Sequence, residues 1–590
     1  MVLDISSREL FKQRPTIHFE PEFIKCPTCG SRLNVLKTCK KTVVTLDIGE
    51  FLAVEKVLEC PKDGTIYRSE QLPCLAPHRC RFGFDVMVYV GKALFIHSRS
   101  DQEIIKELAK RNIVISDRQI GNLGRKFIIY LAIAQKESRE KLRDLMAMGG
   151  GYILHLDGTC EKDSPHLFTC IDGISEIVLK NIKLPSEKKE LLIPFLKKLK
   201  KEYGNPIALV HDMGKGILAA VEEVFPGVLD FICHFHFLRD LGKDLLEDEY
   251  SRIRNALKKS KIRTLLRQRA KVFEKAIRQN IGVVKDLRES IDNGRIETSC
   301  FFQFPSASTY ALIYWAFNTS EQLKGYGFPF DRSHLVFYQR LKLIHSVLEQ
   351  MMNKSDRFES KAIKPFYRIW KLLNDVCNDE DLNKSVKLFE EKIVVFDKLR
   401  DALSIALPEN KKGLNDDGGE NDIKTIEEKV KEFKHWIIKD KYFSKQKCYK
   451  DMIKQIDKYW QKLFSDPILV NTPGGEIFIQ PQRTNNILER FFRDFKRKSR
   501  KKSGNSSLSK TLKTMMADTP LIKNLENDEY LKAILNGCST LEERFAKIDH
   551  KKVLKILRDE QQHNERISPM MIKIIKIRNL PMDLTKLFVS

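Results

Sequence analysis

Residues 152–159, Tyr152-Ile153-Leu154-His155-Leu156-Asp157-Gly158-Thr159, follow directly on the break Gly149-Gly150-Gly151. The apolar run is short enough to be a strand, and it ends on a carboxylate. A second strand is expected over 167–171, with Asp172-Gly173 as a hairpin turn and a third strand over 174–182. An amphipathic helix over 186–203 comes next. A fourth strand over 206–210 runs into His211-Asp212, and a helix over 215–225 leads to a fifth strand over 228–233.

Three antiparallel strands followed by alternating helix and strand is the order of a ribonuclease-H-like fold, so a mixed α/β catalytic core is expected over 146–240. Asp157 would end the first strand and Asp212 the fourth, which lies beside the first in that fold. Open sheets bind ligands at such strand-to-loop switches. A third acid is expected on a late helix, Thr484-Asn485-Asn486-Ile487-Leu488-Glu489-Arg490. There Ile487, Leu488, Phe491, Phe492 and Phe495 form one apolar stripe for packing on the sheet. Glu489, Arg493, Lys496 and Arg500 recur at helical offsets and line a neighbouring face. An acid followed by three cations suits a metal ligand bordering a phosphate track. The run Lys496-Arg497-Lys498-Ser499-Arg500-Lys501-Lys502 continues the charge, although a solvated helix end or a localisation signal reads equally well. Three carboxylates from separate elements can hold two Mg²⁺ (or Mn²⁺) ions about 3.5–4 Å apart, one at the nucleophile and one at the leaving oxygen. Asp172, Asp230 and Asp240 are rival acids. Asp172 reads as a turn residue, and Asp240 as a helix-start residue able to cap.

The 590 residues are enough for several domains, and 42% hydrophobic with 31% charged residues is ordinary for globular protein. Lys and Arg number 104 against 79 Asp and Glu, a formal +25. A surface that basic concentrates polyanions, nucleic acid above all, although Lys-rich helices also keep proteins in solution. No run of about 18 uncharged apolar residues argues for a membrane span, and the opening MVLDISSREL lacks the core of a secretory signal. The 13 cysteines are odd in number and scattered, which argues against a disulfide framework. The expected setting is an intracellular, reducing compartment holding DNA: cytoplasm and nucleoid, or nucleus.

Ahead of the core, 1–22 reads as an extension and 23–97 as a zinc-binding module. Lys25-Cys26-Pro27-Thr28-Cys29-Gly30 is a zinc-knuckle turn, and Cys60-Pro61-Lys62-Asp63-Gly64 has the same shape with Asp63 in place of a thiol. Cys26, Cys29, Cys60 and Asp63 are the candidate ligands of a structural Zn²⁺, with Cys74, His78 and Cys80 open alternatives for the last position and unligated buried thiols the plainer reading. Over 98–145, Ser100-Asp101-Gln102-Glu103 and Ser116-Asp117-Arg118-Gln119 are capping boxes that start two short helices. The pair suits a helix-turn-helix with Arg118, Gln119, Asn122 and Arg125 facing DNA, and it equally suits a simple packing unit. Residues 241–475 read as a helical insertion with a loop over 408–422. The core is expected to resume over 476–540, and 541–590 reads as a helical tail.

These motifs resemble a known family. The Asp157-Gly158-Thr159 and Asp212 strand ends, Cys233-His234-Phe235-His236 after the fifth strand and Thr484-Asn485-Asn486-x-x-Glu489 resemble the DDE transposases of the Mutator-like type. Bacterial insertion-sequence transposases with a zinc-binding amino terminus have a similar layout. The likeness rests on motifs over 146–245 and 476–505, and elsewhere on layout. It implies an Mg-dependent endonuclease and strand-transferase that binds transposon ends and target DNA, both double-stranded, as a homodimer or higher assembly. It also implies catalytic roles for Asp157, Asp212 and Glu489, and a large helical insertion before the last acid. Cys233 and His236 match the family's Cys-x-x-His element. With no second pair nearby for a soft metal, packing or DNA positioning beside the active site is the expectation for them. Asp63 departs from a four-thiolate zinc shell. The alternative is a domesticated descendant that binds DNA without cutting, against which the intact acids speak.

Overall fold

Long runs of alternating burial fold the amino-terminal part of the chain around a hairpin. The computed structural model describes residues 14–279, 282–294, 304–319, 323, 325–353, 363–406, 422–505 and 507–564. The chain divides into two units, residues 1–230 with 467–590 and residues 231–466.

The first unit opens with β1 (Thr16–Phe19), β2 (Asn34–Thr45), β3 (Gly49–Glu59) and β4 (Ile66–Tyr67). β3 pairs with β2 and β4 antiparallel and with β1 parallel. One end of the hairpin is anchored by Phe19, Val43, Phe51 and Ala53 packed with Leu72 and Ala76. Then follow α1 (Phe84–Phe95), α2 (Asp101–Ala109), α3 (Asp117–Glu137) and α4 (Arg139–Met148). Both expected capping boxes are made: Ser100 and Ser116 accept from the backbone N–H of Glu103 and Gln119, whose side chains bond back to the caps. α1 lies so close to α3 that a Cβ on Gly91 would stand 2.2 Å from the Phe127 ring. Helix α1 therefore joins the main core through Val86, Val90 and Leu94, although the zinc module was expected to extend to residue 97.

The central sheet contains β5 (Ile153–Thr159), β6 (His166–Asp172), β7 (Val178–Leu184), β8 (Ala208–His211) and β9 (Leu229–Ile232), in the order β7-β6-β5-β8-β9. β5 pairs antiparallel with β6 and parallel with β8, and β6 pairs antiparallel with β7. Helices α5 (Lys189–Tyr203) and α6 (Lys215–Val224) supply the crossovers, burying Leu192, Leu196, Leu199, Ile217 and Ala220. Gly216 sits where α6 meets the loop ahead of α5, and a Cβ there would be 1.9 Å from the Glu187 carbonyl oxygen. Because that neighbour is backbone, Gly216→Ala is expected to cost about 2–4 kcal/mol and to lower the midpoint of thermal unfolding measurably. An unchanged melting curve would show that the close approach is not required.

Among the described residues the second unit is helical from α7 (His234–Lys259) to the short helix Trp460–Leu463, and the strand that follows begins at Ile468, inside the span 241–475 read as a helical insertion. Phe337, Leu341, Phe389, Phe396 and Leu399 are among its fully buried residues. Of the expected 408–422 loop only Asp422 lies within the described residues, where it caps the helix Ile423–Lys439.

Back in the first unit, β10 (Ile468–Thr472) and β11 (Gly475–Ile479) form a hairpin ahead of α8 (Asn486–Ser503) and α9 (Ser509–Thr514). The expected tail over 541–590 is, within its described part, a piece of the main core. Phe545 and Val553 are fully buried there, and Arg544 donates to the Ile534 carbonyl and pairs with Glu137. Residues 565–590 lie outside the described residues. No helix among the described residues is long and apolar enough to cross a membrane.

Candidate active site and metal centre

In β5 and β8 the register pairs Leu156 with His211, so the next residues stand side by side. Asp212 lies just past the end of β8, and Asp157 is still inside β5, which runs two residues beyond the expected strand end to Thr159 because Gly158 and Thr159 go on pairing with β6. At ordinary strand spacing their Cα atoms are roughly 5 Å apart. Asp157 is largely buried, and its carboxylate accepts the Gly158 N–H at 2.7 Å. Directly opposite it across β6 and β7 stand Thr169 and then Asn181, both buried, so a polar row crosses one face of the sheet.

Two buried histidines flank these acids. His211 lies with Nε2 2.6 Å from the Asp230 carboxylate and Nδ1 2.7 Å from the Asp212 carbonyl oxygen, which fixes the backbone of Asp212. Asp230, read as a rival acid, is thereby engaged by His211. His155 is pushed down to about 4 by burial and is neutral at ordinary pH. Its Nδ1 lies 2.9 Å from the Oδ1 of Asn485.

Of the other rival acids, Asp172 collects the N–H groups of Ile153, Ile174 and Ser175 and the Ser175 hydroxyl, as a turn organiser does. Burial nevertheless pushes its carboxyl above the ordinary range. Asp240 does not cap a helix start. α7 begins at His234, and Asp240 sits inside it, 3.3 Å from Lys243.

α8 begins one residue after Asn485 and carries Glu489 in its first turn. Ile487, Leu488 and Phe491 are buried, while Phe492 and Phe495 pack with Leu167, Leu508 and Leu512, so the expected stripe is present. Arg493, Lys496 and Arg500 are exposed. The helix is basic on a second side as well. Lys498 and Lys502 join Arg125 of α3 in lining a cleft of about 930 Å³. Among the described residues no set of ligand atoms mutually within 4.8 Å unites Asp157, Asp212 and Glu489. Two ions about 3.5–4 Å apart spread their ligands over a wider cage than a single ion does. The donors are all carboxylate oxygens, the set that hard divalent cations take.

Arg118, Asn122 and Arg125 are exposed along the start of α3. Gln119 is committed at its Oε1 to capping Ser116, so its side chain acts first on the helix start. Cys233 and His236 belong to the second unit, buried at the start of α7. His234 between them bonds the Leu463 carbonyl at 2.7 Å.

Cys26, Cys29, Cys60 and Asp63 form one group, their ligand atoms mutually within 4.8 Å. The two knuckles are copies in backbone as well as in sequence. Gly30 N–H bonds Cys26 O at 2.8 Å and Gly64 N–H bonds Cys60 O at 2.9 Å, with φ of +70° and +69° at the two glycines. The Tyr67 hydroxyl, 3.2 Å from the Cys26 sulfur, holds that thiol down to about 6. Three thiols and a carboxylate are compatible with zinc. The alternatives lie elsewhere. Cys80 stands 2.7 Å from the Lys126 amine, Cys74 is exposed, and His78 packs edge-on to His550.

Sequence reasoning missed His155, His211 and Thr169 as neighbours of the acids. For His155 the one signal was its place two residues before Asp157 in an otherwise apolar strand; Thr169 and His211 carry no such pattern.

No curated protein matches the chain. Residues 168–325, the span that includes Asp212, Cys233 and His236, match the family model described as Transposase, Mutator family, and over that span the chain is similar to the Mutator-family transposases.

Proposed function

We propose that the chain is a DDE transposase, which binds the ends of a mobile element, cuts DNA there and joins the free 3′ end to a target. Asp157, Asp212 and Glu489 are its catalytic carboxylates, on a ribonuclease-H-like core interrupted by the helical unit. The strand order β7-β6-β5-β8-β9, antiparallel and then parallel about β5, supports the core. One observation carries the reading furthest: the residue that opens the Glu489 helix bonds the main chain beside Asp157, Asn485 Nδ2 donating to Leu156 O at 2.8 Å. A surface glutamate with no chemical task needs no such attachment, made by Asn485, to a strand 329 residues away in sequence.

Two Mg²⁺ or Mn²⁺ ions held by these carboxylates would polarise the attacking and leaving oxygens and neutralise charge on the scissile phosphate. Asp157 and Asp212 offer oxygens from the sheet edge, and Glu489 from the first turn of α8. Arg493, Lys496 and Arg500, exposed further along α8, attract the phosphates flanking the cut. α2 and α3 serve as a helix-turn-helix-like DNA reader through Arg118, Asn122 and Arg125. The Cys26, Cys29, Cys60 and Asp63 group holds a structural zinc.

The test is incubation of the full chain with a duplex bearing the element's own ends, with and without Mg²⁺ or Mn²⁺. Cleavage only with metal supports the reading; tight binding with no cleavage under any divalent ion supports the non-cutting descendant instead. DNA affinity is also expected to fall about 10³–10⁵-fold between 50 and 200 mM salt, as counterion release by several phosphate contacts requires. A flat salt response would contradict the basic track.

A further inference from the structure

Buried between α8 and the sheet is an amide whose oxygen and nitrogen both bond β5, while its main-chain carbonyl starts the helix that carries Glu489. Asn485 has no exposed surface. Its Nδ2 donates to Leu156 O at 2.8 Å, the carbonyl of the peptide that joins Leu156 to Asp157. Its Oδ1, which can only accept, lies 2.9 Å from His155 Nδ1, which therefore donates. Its main-chain carbonyl accepts the Glu489 N–H at 3.0 Å, the first hydrogen bond of the helix. A chain of three hydrogen-bonding groups on one residue therefore runs from the peptide of Asp157 to the backbone of Glu489.

His155 cannot swing away. Its ring lies against the turn after β6, so that a Cβ on Gly173 would stand 2.6 Å from Nε2. Asn485 is thus gripped from the strand side by a donor and an acceptor in fixed positions. The geometry discriminates against substitutes. Aspartate keeps the acceptor for His155 and loses the donor to Leu156, and alanine loses both.

We propose that Asn485, locked by His155, is the positioning residue that sets the distance between Glu489 and Asp157 and so tunes the site's hold on divalent metal. The proposal rests on the DDE reading above. Partners one step removed from metal ligands orient those ligands, and their loss commonly costs about 10–100-fold in metal affinity or activity.

The experiment uses the full chain and the variants Asn485→Asp, Asn485→Ala, His155→Gln and Glu489→Gln. Three quantities are read: Mn²⁺ affinity by titration calorimetry, single-turnover cleavage of the end-bearing duplex, and the unfolding midpoint. For Asn485→Asp the expected result is Mn²⁺ binding and saturated cleavage each weakened about 10–100-fold with DNA affinity unchanged. Adding Asn485→Asp to Glu489→Gln should cause little further loss of Mn²⁺ binding, because the two act through one ligand. Wild-type Mn²⁺ affinity and rate in Asn485→Asp would overturn the proposal. So would losses that track only the fraction unfolded, with metal affinity intact. If Asn485→Ala does not fold, Asn485→Asp and His155→Gln decide by the same readings. Full cleavage by Glu489→Gln would instead sink the triad itself, an outcome separate from the clamp.

Discussion

Asp212→Asn is expected to lower metal-dependent cleavage at least roughly a thousandfold, ~4 kcal/mol of barrier, while DNA affinity stays level or rises slightly. The substitution keeps the shape of the side chain and removes its charge. Asp212 is only part-buried, and its main chain is held through His211 by Asp230, so the fold should tolerate the change. What goes, on the proposed reading, is one of the three negative charges that would hold the ions. On the same reading, removing a negative charge beside bound phosphates would not weaken DNA binding by simple electrostatics. The rival acids give the contrast. Asp240→Asn should leave cleavage unaltered, because Asp240 serves an ion pair inside α7. Asp172→Ala should act on stability, because it strips the acceptor from three donors in the β6–β7 turn and from the Ile153 N–H at the start of β5. Asp230→Asn should fall between, disturbing Asp212 through His211 alone. Near-wild-type cleavage by Asp212→Asn, measured under single turnover with Mg²⁺, would end the two-ion reading.

How much of this could be read from sequence follows the range of the interactions. The capping boxes at Ser100 and Ser116 lie within four residues, and they form as the spacing dictates. The strands carrying Asp157 and leading into Asp212 were legible from short apolar runs, and so was their neighbouring placement from the order of elements. The first, however, runs on past Asp157 to Thr159, where pairing with β6 keeps it extended. The contacts that arrange the site were not. Asn485 and His155 are 330 positions apart, and nothing in either local sequence announces that one will grip the other. Gln119 shows the reverse case: read as a DNA-facing side chain from its place on the helix, it also caps that helix through Oε1, by a local rule that was already visible. Residues 541–564 read as a tail because a short amphipathic helix looks the same whether its apolar face meets solvent-side loops or a core. Only the burial of Phe545 and Val553 against α1 and α3 distinguishes them.

The second large effect concerns the knuckle pair. There, metal removal should unravel one end of the β2–β3 hairpin without unfolding the unit. The apolar packing at that end is small, Cys26, Leu33 and Cys60 with Cys29, Leu58 and Tyr67 at the edge, while Phe23, Ile24, Val35 and Ile66 are exposed around it. So little burial leaves folding there to the ligands, and structural zinc contributes on the order of 10–16 kcal/mol in isolated finger peptides at neutral pH. The far end keeps Phe19, Val43 and Phe51, which do not depend on metal. With chelator, or in Cys60→Ser, the amides of Cys26, Gly30, Cys60 and Gly64 should lose their hydrogen-exchange protection, while the main unfolding transition stays in place. The wild-type chain should carry one zinc, released as acid protonates the thiolates. Asp63 makes the sharper test. Its carboxylate occupies the place that Cys29 takes in the first knuckle, so Asp63→Cys should complete a four-thiolate shell and bind zinc more tightly, and Asp63→Ala less tightly. Wild-type protein that carries no zinc as purified, or that keeps its exchange protection at these amides after chelation, would leave the group a set of buried thiols and nothing more.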